Sequence, residues 1–206
     1  MPTSALRSDS SPRLILGSTS PYRRELLQRL RLRFDCAAPQ VDETALAGEL
    51  PADLAPRLAL EKAREVANRH PGTVVIGADQ VAELDGLAIG KPGNHARAVA
   101  QLQAMSGRSV VFHSAVAVVR PDQGFERVLT APVTVRFRRL SDAEIERYLR
   151  LEQPYDCAGS AKCETLGIAL LASIASDDPT ALVGLPLIRT CELLRAAGID
   201  PMAASA

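Results

Sequence analysis

Short unbroken apolar runs alternate along the chain with stretches whose apolar residues recur every three or four positions, which is the rhythm of strands and helices in turn. Arg13-Leu14-Ile15-Leu16-Gly17 reads as a buried strand. Ser20-Pro21 opens a helix, because serine is a good N-cap and proline is tolerated at the first helical position. Tyr22, Leu26, Leu27 and Leu30 continue it. A short strand is expected from Phe34 to Ala38, then a long helix from Asp53 to Asn68 closed by His70-Pro71-Gly72. Thr73 to Ala78 is a second buried strand, and Asp85-Gly86 is a hairpin turn. Asn94 caps a helix that ends at Gly107. Val110 to Val119 is a long apolar strand, turned back by Pro121-Asp122-Gln123-Gly124. Val133, Val135 and Phe137 then alternate with Thr134, Arg136 and Arg138, the mark of a sheet with one wetter face. Ser141 and Glu144 frame a capping box. Tyr155 to Gly167 is a polar loop, Ile168 to Ile174 a strand, and Leu187 to Ala197 the last helix, stopped by Gly198. Helices and strands interleave with no repeat and no linker, which predicts a single α/β domain with a mixed sheet over residues 13–200. Residues 1–12 read as a disordered tail and 201–206 as a C-terminal tail.

Composition narrows the class. Hydrophobic residues make up 47% of the 206 but aromatics only 3%, so the core must be built from Leu, Val, Ile and Ala. Lys plus Arg equals Asp plus Glu at 24 each, which lacks the basic excess of a duplex-binding protein. Cys36, Cys157, Cys163 and Cys191 form no Cys-x-x-Cys pair, and His70, His95 and His113 offer no zinc-ligand spacing. Reduced thiols are therefore expected, and Cys157 has no neighbouring histidine to make it a nucleophile. The Ser- and Pro-rich start lacks the apolar segment of a signal peptide, and no apolar run reaches membrane-spanning length. A soluble cytoplasmic protein without nucleic-acid or membrane partners is the expectation.

Charge in unexpected places suggests the chemistry. A helix start prefers carboxylates, yet Ser18-Thr19-Ser20-Pro21-Tyr22-Arg23-Arg24 puts two arginines in the first turn and no acid. A bound phosphate would reverse that mismatch, using backbone N–H groups, serine hydroxyls and guanidinium forks; two solvated arginines are the alternative. The spacing is not that of a P-loop. Lys62 falls within the apolar arc of its helix, either as a snorkelling stem or as an ammonium aimed into a cleft. Asp79 follows the apolar run Val74-Val75-Ile76-Gly77-Ala78. A carboxylate there must be paired, bound to metal or capping a turn, and in open α/β sheets sites gather at the carboxyl ends of strands. Asp79 is thus the candidate general base or metal ligand, with Gln80 beside it. Lys91, in Gly90-Lys91-Pro92, is kept extended by the proline and is one of only three lysines in an arginine-rich chain. Asp42-Glu43 is an acid pair in a loop, either solvated or, beside phosphates, a holder of a divalent metal.

With these residues assembled, the sequence resembles the Maf family of nucleotide pyrophosphatases. The resemblance rests on the serine-rich turn with paired arginines and on Val41-Asp42-Glu43, Glu61-Lys62-Ala63, Gly77-Ala78-Asp79-Gln80, Gly90-Lys91-Pro92 and Met105-Ser106-Gly107. It continues through Cys157-Ala158-Gly159-Ser160 and Val183-Gly184-Leu185-Pro186-Leu187, covering Leu14 to Gly198. It implies an elongated α/β fold around a twisted mixed sheet, similar to inosine triphosphate pyrophosphatases, with substrate in a central cleft. It also implies cleavage between the α- and β-phosphates with a divalent cation, Mg2+ or Mn2+, and a homodimer. Carried over by residue, Asp79 would be the proton acceptor, and Arg23, Arg24, Lys62 and Lys91 would hold the triphosphate with Ser18 and Ser20. Glu43 and Asp79 would approach the metal.

The family divides by substrate at the positions of Tyr22, Gln80 and Glu164. The thymidine and uridine triphosphate branch shows arginine, threonine and glutamine there; this chain resembles instead the branch that acts on 7-methyl-GTP, although that branch usually has tryptophan at the place of Tyr22. A methylated guanine is cationic, so an aromatic face gains about 0.5–2 kcal/mol of cation–π attraction. Glu164 would accept hydrogen bonds from guanine N1–H and its exocyclic amine. The alternatives are a dTTP/UTP pyrophosphatase and a non-catalytic nucleotide-binding regulator of septum formation.

Overall fold

The computed structural model describes residues 12–203. Residues 1–11 of the expected N-terminal tail and 204–206 of the expected C-terminal tail lie outside that range. Among the described residues seven strands form one mixed sheet: β1 (Arg13–Gly17), β2 (Asp35–Cys36), β3 (Thr73–Leu84), β4 (Leu87–Ile89), β5 (Ser109–Arg120), β6 (Phe125–Phe137) and β7 (Leu171–Ala175). Their order is β2-β1-β3-β5-β6-β7, with β4 folded back on the outer half of β3. β2, β1 and β3 run parallel, and every later pairing is antiparallel. The helices are α1 (Pro21–Gln28), α2 (Pro51–Arg69), α3 (His95–Met105), α4 (Asp142–Glu152) and α5 (Leu187–Ala196). The α/β class with a mixed sheet is as the sequence predicts.

Alternation along β3 and β5 sorts the core. Val75, Ala115, Ala117 and Val119 point to one face, where Leu58, Ala59, Ala63 and Val66 of α2 cover them. Val74, Ile76, Ala78, Val116 and Val118 point to the other, against Leu26 and Leu27 of α1 and Leu193 and Leu194 of α5. Further along that second face Ala82, Val110 and Phe112 join Leu102 of α3 and Ile145 and Leu149 of α4. Between these two apolar groups lie Gln80 and Ser114, directly paired across β3 and β5.

Two boundaries differ from the expected ones. β3 does not stop at Ala78; it continues through Asp79 and Gln80, whose backbones pair with Ala115 and Ser114. The polar side chains mimic a strand end, but a ladder is held by backbone and tolerates them when they are partnered. The last strand begins at Leu171, because residues 166–170 form a 3-10 turn. Gly167 there lies so close to the Lys162 backbone that a Cβ would fall 2.4 Å from its carbonyl oxygen.

Glycine fixes the contact between α2 and the sheet. A Cβ on Gly77 would lie 2.2 Å from the Ala59 carbonyl oxygen and 2.6 Å from the Ala63 nitrogen. Only a residue without a side chain lets the helix backbone rest on the strand there. Gly77 and Asp79 share a face of β3, so the same approach brings Lys62 to Asp79.

Candidate active site

β1 accompanies β3 only as far as Gly17 opposite Gly77. Beyond that point β1 becomes the Ser18-Thr19-Ser20 turn and α1, while β3 runs on, and a cleft opens between them. Asp79 thus sits beside the carboxyl end of β1, although it is in the middle of β3. The cleft has a volume of about 590 Å³ and is lined from the turn, α1, α2, β3 and the 90–91 and 156–158 segments. That size suits a nucleotide.

One end gathers cations. Ser20 caps α1, its hydroxyl accepting from Arg23 N at 3.4 Å, and the buried Ser18 hydroxyl accepts from Ser20 N at 3.1 Å. No acid occupies the first turn. Arg23 turns inward, and its Nε donates to the Gly184 carbonyl at 2.9 Å. Burial pulls the guanidinium down from its ordinary value, against the raising effect of the Asp79 and Glu43 charges. Lys91 also lines the cleft and is exposed. Arg24 is exposed and outside the lining, because the next position of a helix points about 100° away.

At the centre, Lys62 is 5% exposed and its ammonium bridges two carboxylates, 2.5 Å from Asp79 and 2.6 Å from Glu43. Asp79 is buried at 8% exposure, while the Glu43 side chain is 61% exposed. The Lys62 hydrogen bond holds the Glu43 carboxyl below its ordinary value despite opposing desolvation. Asp42 takes no part in the cleft; its carboxylate accepts from Thr44 N and Oγ1 at 2.9 and 2.6 Å and shapes the loop that presents Glu43. Glu43 and Asp79 converge on Lys62 Nζ, and carboxylate oxygens are the hard donors that suit magnesium or manganese. Among the described residues no three or more His, Cys, Asp or Glu side chains cluster as ligands. A metal here would take its remaining ligands from phosphate and water.

The rest of the lining includes Tyr22, Gln80, Asp156, Cys157 and Ala158. The Gln80 amide nitrogen donates to Ser114 Oγ at 2.8 Å and to the Ala181 and Leu182 carbonyls at 2.9 and 3.0 Å. It therefore braces the turn that ends at Gly184. Glu164 is exposed, absent from the lining, and within 3.5 Å of the Cys163 thiol. Burial pushes the Cys157 thiol up to about 12, which removes it as a nucleophile at neutral pH. Sequence reasoning passed over Asp156, which flanks a quoted motif but reads as a solvated loop acid. It also passed over Asp178, buried at 1% exposure, which accepts from Thr180 N and Oγ1 and from Ile188 N. The signal for Asp178 was present: Asp178-x-Thr180 is an Asx-turn spacing just before the last helix.

A mixed α/β sheet with cations and a buried carboxylate in a cleft at the end of a parallel strand is an arrangement suited to phosphate esters and phosphoanhydrides. A family model described as Maf-like protein matches residues 13–197, and the chain belongs to that family. It is 68% identical over 192 residues to a protein of Albidiferax ferrireducens named 7-methyl-GTP pyrophosphatase, covering 93% of this chain and 96% of the relative. Proteins of the same name from Polaromonas sp. and Cupriavidus metallidurans are 67% and 58% identical, over 95% and 94% of this chain and 89% and 97% of theirs. Among the described residues no helix is long and apolar enough to cross a membrane.

Proposed function

We propose that the chain is a nucleoside triphosphate pyrophosphatase that hydrolyses 7-methyl-GTP to 7-methyl-GMP and diphosphate. The observation that carries this reading is the Lys62–Asp79 pair, buried at the back of a nucleotide-sized cleft with Arg23 and Lys91 on its walls. The relatives' shared name supports the substrate. Phosphoanhydride cleavage needs a placed water, an acceptor for its proton and neutralisation of the charge on the leaving diphosphate. Asp79 is the proton acceptor, and Lys62 fixes its carboxylate in one orientation. Arg23, itself fixed by the Gly184 carbonyl, and Lys91 meet phosphate oxygens, with the N-terminus of α1 adding its free N–H groups. Glu43 and Asp79 would hold Mg2+ or Mn2+, which supplies Lewis-acid charge neutralisation when bound. Tyr22 offers an aromatic face to the cationic base.

The test is kcat/KM for 7-methyl-GTP, GTP, UTP and dTTP with each metal, quantifying monophosphate and diphosphate. Preference for 7-methyl-GTP with diphosphate release is expected, and Asp79→Asn should keep the fold while losing nearly all turnover. Release of inorganic phosphate alone, or a fully active Asp79→Asn, would overturn the reading.

A further inference from the structure

Tyr22 does not face the cleft alone. The Lys162 ammonium lies 5.8 Å from the centre of its ring and 3.0 Å from the Asp156 carboxylate. Lys162 is 14% exposed and stands outside the cleft lining, whereas Tyr22 and Asp156 belong to it. Its place is fixed by its own backbone: Lys162 N donates to the Tyr148 hydroxyl at 3.0 Å, and Gly167 packs against its peptide. Its backbone anchors and the Asp156 carboxylate thus place the lysine beside the ring. Hydrogen bonding from Lys162 also holds the Asp156 carboxyl below its ordinary range, so both partners stay charged.

Guanine and 7-methylguanine differ in shape by one methyl group and in charge by one positive unit. An aromatic ring attracts a cation through its quadrupole. A ring that already has an ammonium beside it offers that attraction against the repulsion of a fixed positive charge, and a nearby carboxylate works the other way. The discrimination at such a ring is therefore set by three groups. We infer that the Lys162–Asp156 pair is a specificity determinant for the charge of the base, Lys162 acting beside Tyr22 to weaken the preference for the cationic methylated guanine and Asp156 to strengthen it. The inference deepens the proposed function and rests on its placing of a guanine nucleotide in this cleft. It assigns a base-reading role to Asp156, a carboxylate of the lining.

The experiment compares wild type with Lys162→Met and Asp156→Asn, and with the charge-keeping controls Lys162→Arg and Asp156→Glu. The readout is the ratio of kcat/KM for 7-methyl-GTP over GTP at mildly acidic pH, where the methylated base keeps its N1 proton and its full charge. Calorimetric Kd values for 7-methyl-GMP and GMP give the same ratio without turnover. Lys162→Met should raise the ratio about five- to tenfold and Asp156→Asn should lower it by a similar factor, with both controls within about twofold of wild type. A merely structural role would move both substrates together and leave the ratio unchanged. Ratios unchanged in both charge-removing variants, or shifted in the opposite directions, would overturn the inference. Asp156 is 63% exposed, so Asp156→Asn decides the matter even where Lys162→Met does not fold. Absence of diphosphate from either triphosphate in wild type overturns the catalytic reading alone, and the Kd ratios then judge the inference. Failure to bind either monophosphate overturns both.

Discussion

Gly77→Ala is the sharpest test of how the fold builds the site. The added methyl would fall 2.2 Å from the Ala59 carbonyl oxygen and 2.6 Å from the Ala63 nitrogen, both backbone atoms of α2. Non-bonded heavy atoms settle near ~3.5 Å, so the helix must withdraw from the sheet by about 1 Å. Overpacking of a core costs about 1–3 kcal/mol, and here the upper end applies, because neither clashing atom is a side chain able to rotate away. At ~2–4 °C per kcal/mol for a domain of this size, the melting temperature should fall by roughly 6–12 °C. The withdrawal also lengthens the 2.5 Å Lys62–Asp79 contact, and misplacement by about 1 Å is enough to cost on the order of 100-fold in rate. Trimming the Ala63 side chain in Gly77→Ala/Ala63→Gly should not rescue either loss, since the backbone atoms stay. The assay is thermal unfolding beside kcat/KM under the folded baseline. Melting within about 2 °C of wild type with unimpaired turnover would refute the reasoning, as would rescue by Ala63→Gly.

Other perturbations follow from the same geometry. Lys62→Met leaves the buried Asp79 beside Glu43 without its bonded ammonium, and breaking such a pair costs about 3–5 kcal/mol, toward the lower end because Glu43 reaches solvent and Arg23 stays in the cleft. Denaturant unfolding should show that loss, and Lys62→Met/Asp79→Asn should regain much of it; a single mutant as stable as wild type would sink this account. Asp178→Asn weakens a buried carboxylate that accepts from four donors around Thr180 and the start of α5, with an expected cost of about 1.5–3 kcal/mol by urea midpoint. Glu144 is lowered from near 4.5 to about 2, first by the Ser141 backbone N–H and then by Arg138 and the Ser141 hydroxyl. Its folded value lies below the unfolded one, so its contribution is complete above the ordinary glutamate range and is lost as pH falls toward about 2. The difference in melting temperature between wild type and Glu144→Gln should therefore shrink across that window; a constant difference would be contrary evidence.

Much of this was legible where physics is local. The Ser141–Glu144 capping box forms with both reciprocal bonds. Asp85 and Gly86 both take the left-handed turn conformation, φ 54° and 79°, which a two-residue hairpin requires. Lys62 on the apolar arc of α2 is buried, because a helical wheel reports burial correctly once a helix lies flat on a sheet. What local pattern does not reach is tertiary. Arg23 and Arg24 look alike in the sequence, and only the phase of α1 separates them: Arg23 is three and four residues before the buried Leu26 and Leu27 and shares their side of the helix. Glu164 and Asp156 lie in a loop of 3-10 turns with a left-handed Gly159, where no period says which acid faces inward. The extent of β3 was misjudged because its two polar residues find partners on other elements, α2 for Asp79 and the 181–182 turn for Gln80.

That second partnership carries a consequence for catalysis. Gln80 and Ser114 interrupt an otherwise apolar face, and apolar residues there would join two halves of the core. The polar pair is retained at no unsatisfied cost: among the described residues no buried side-chain donor or acceptor lacks a partner. Its bonds end on the Ala181 and Leu182 carbonyls, three and two residues before the Gly184 carbonyl that holds Arg23. The pair therefore ties the cleft-lining guanidinium to the strand that carries Asp79. Ser114→Ala removes the 2.6 Å bond to Ala181, yet that carbonyl keeps its bond from Gln80, so the stability cost should stay near about 1 kcal/mol. The effect on kcat/KM should depend on Arg23. In a cycle with Arg23→Lys, the two losses should fall short of additivity by more than about 0.5 kcal/mol, the size that contacting or networked residues show. Losses that simply add would mean that the turn does not position Arg23, and the pair would then be a structural brace alone.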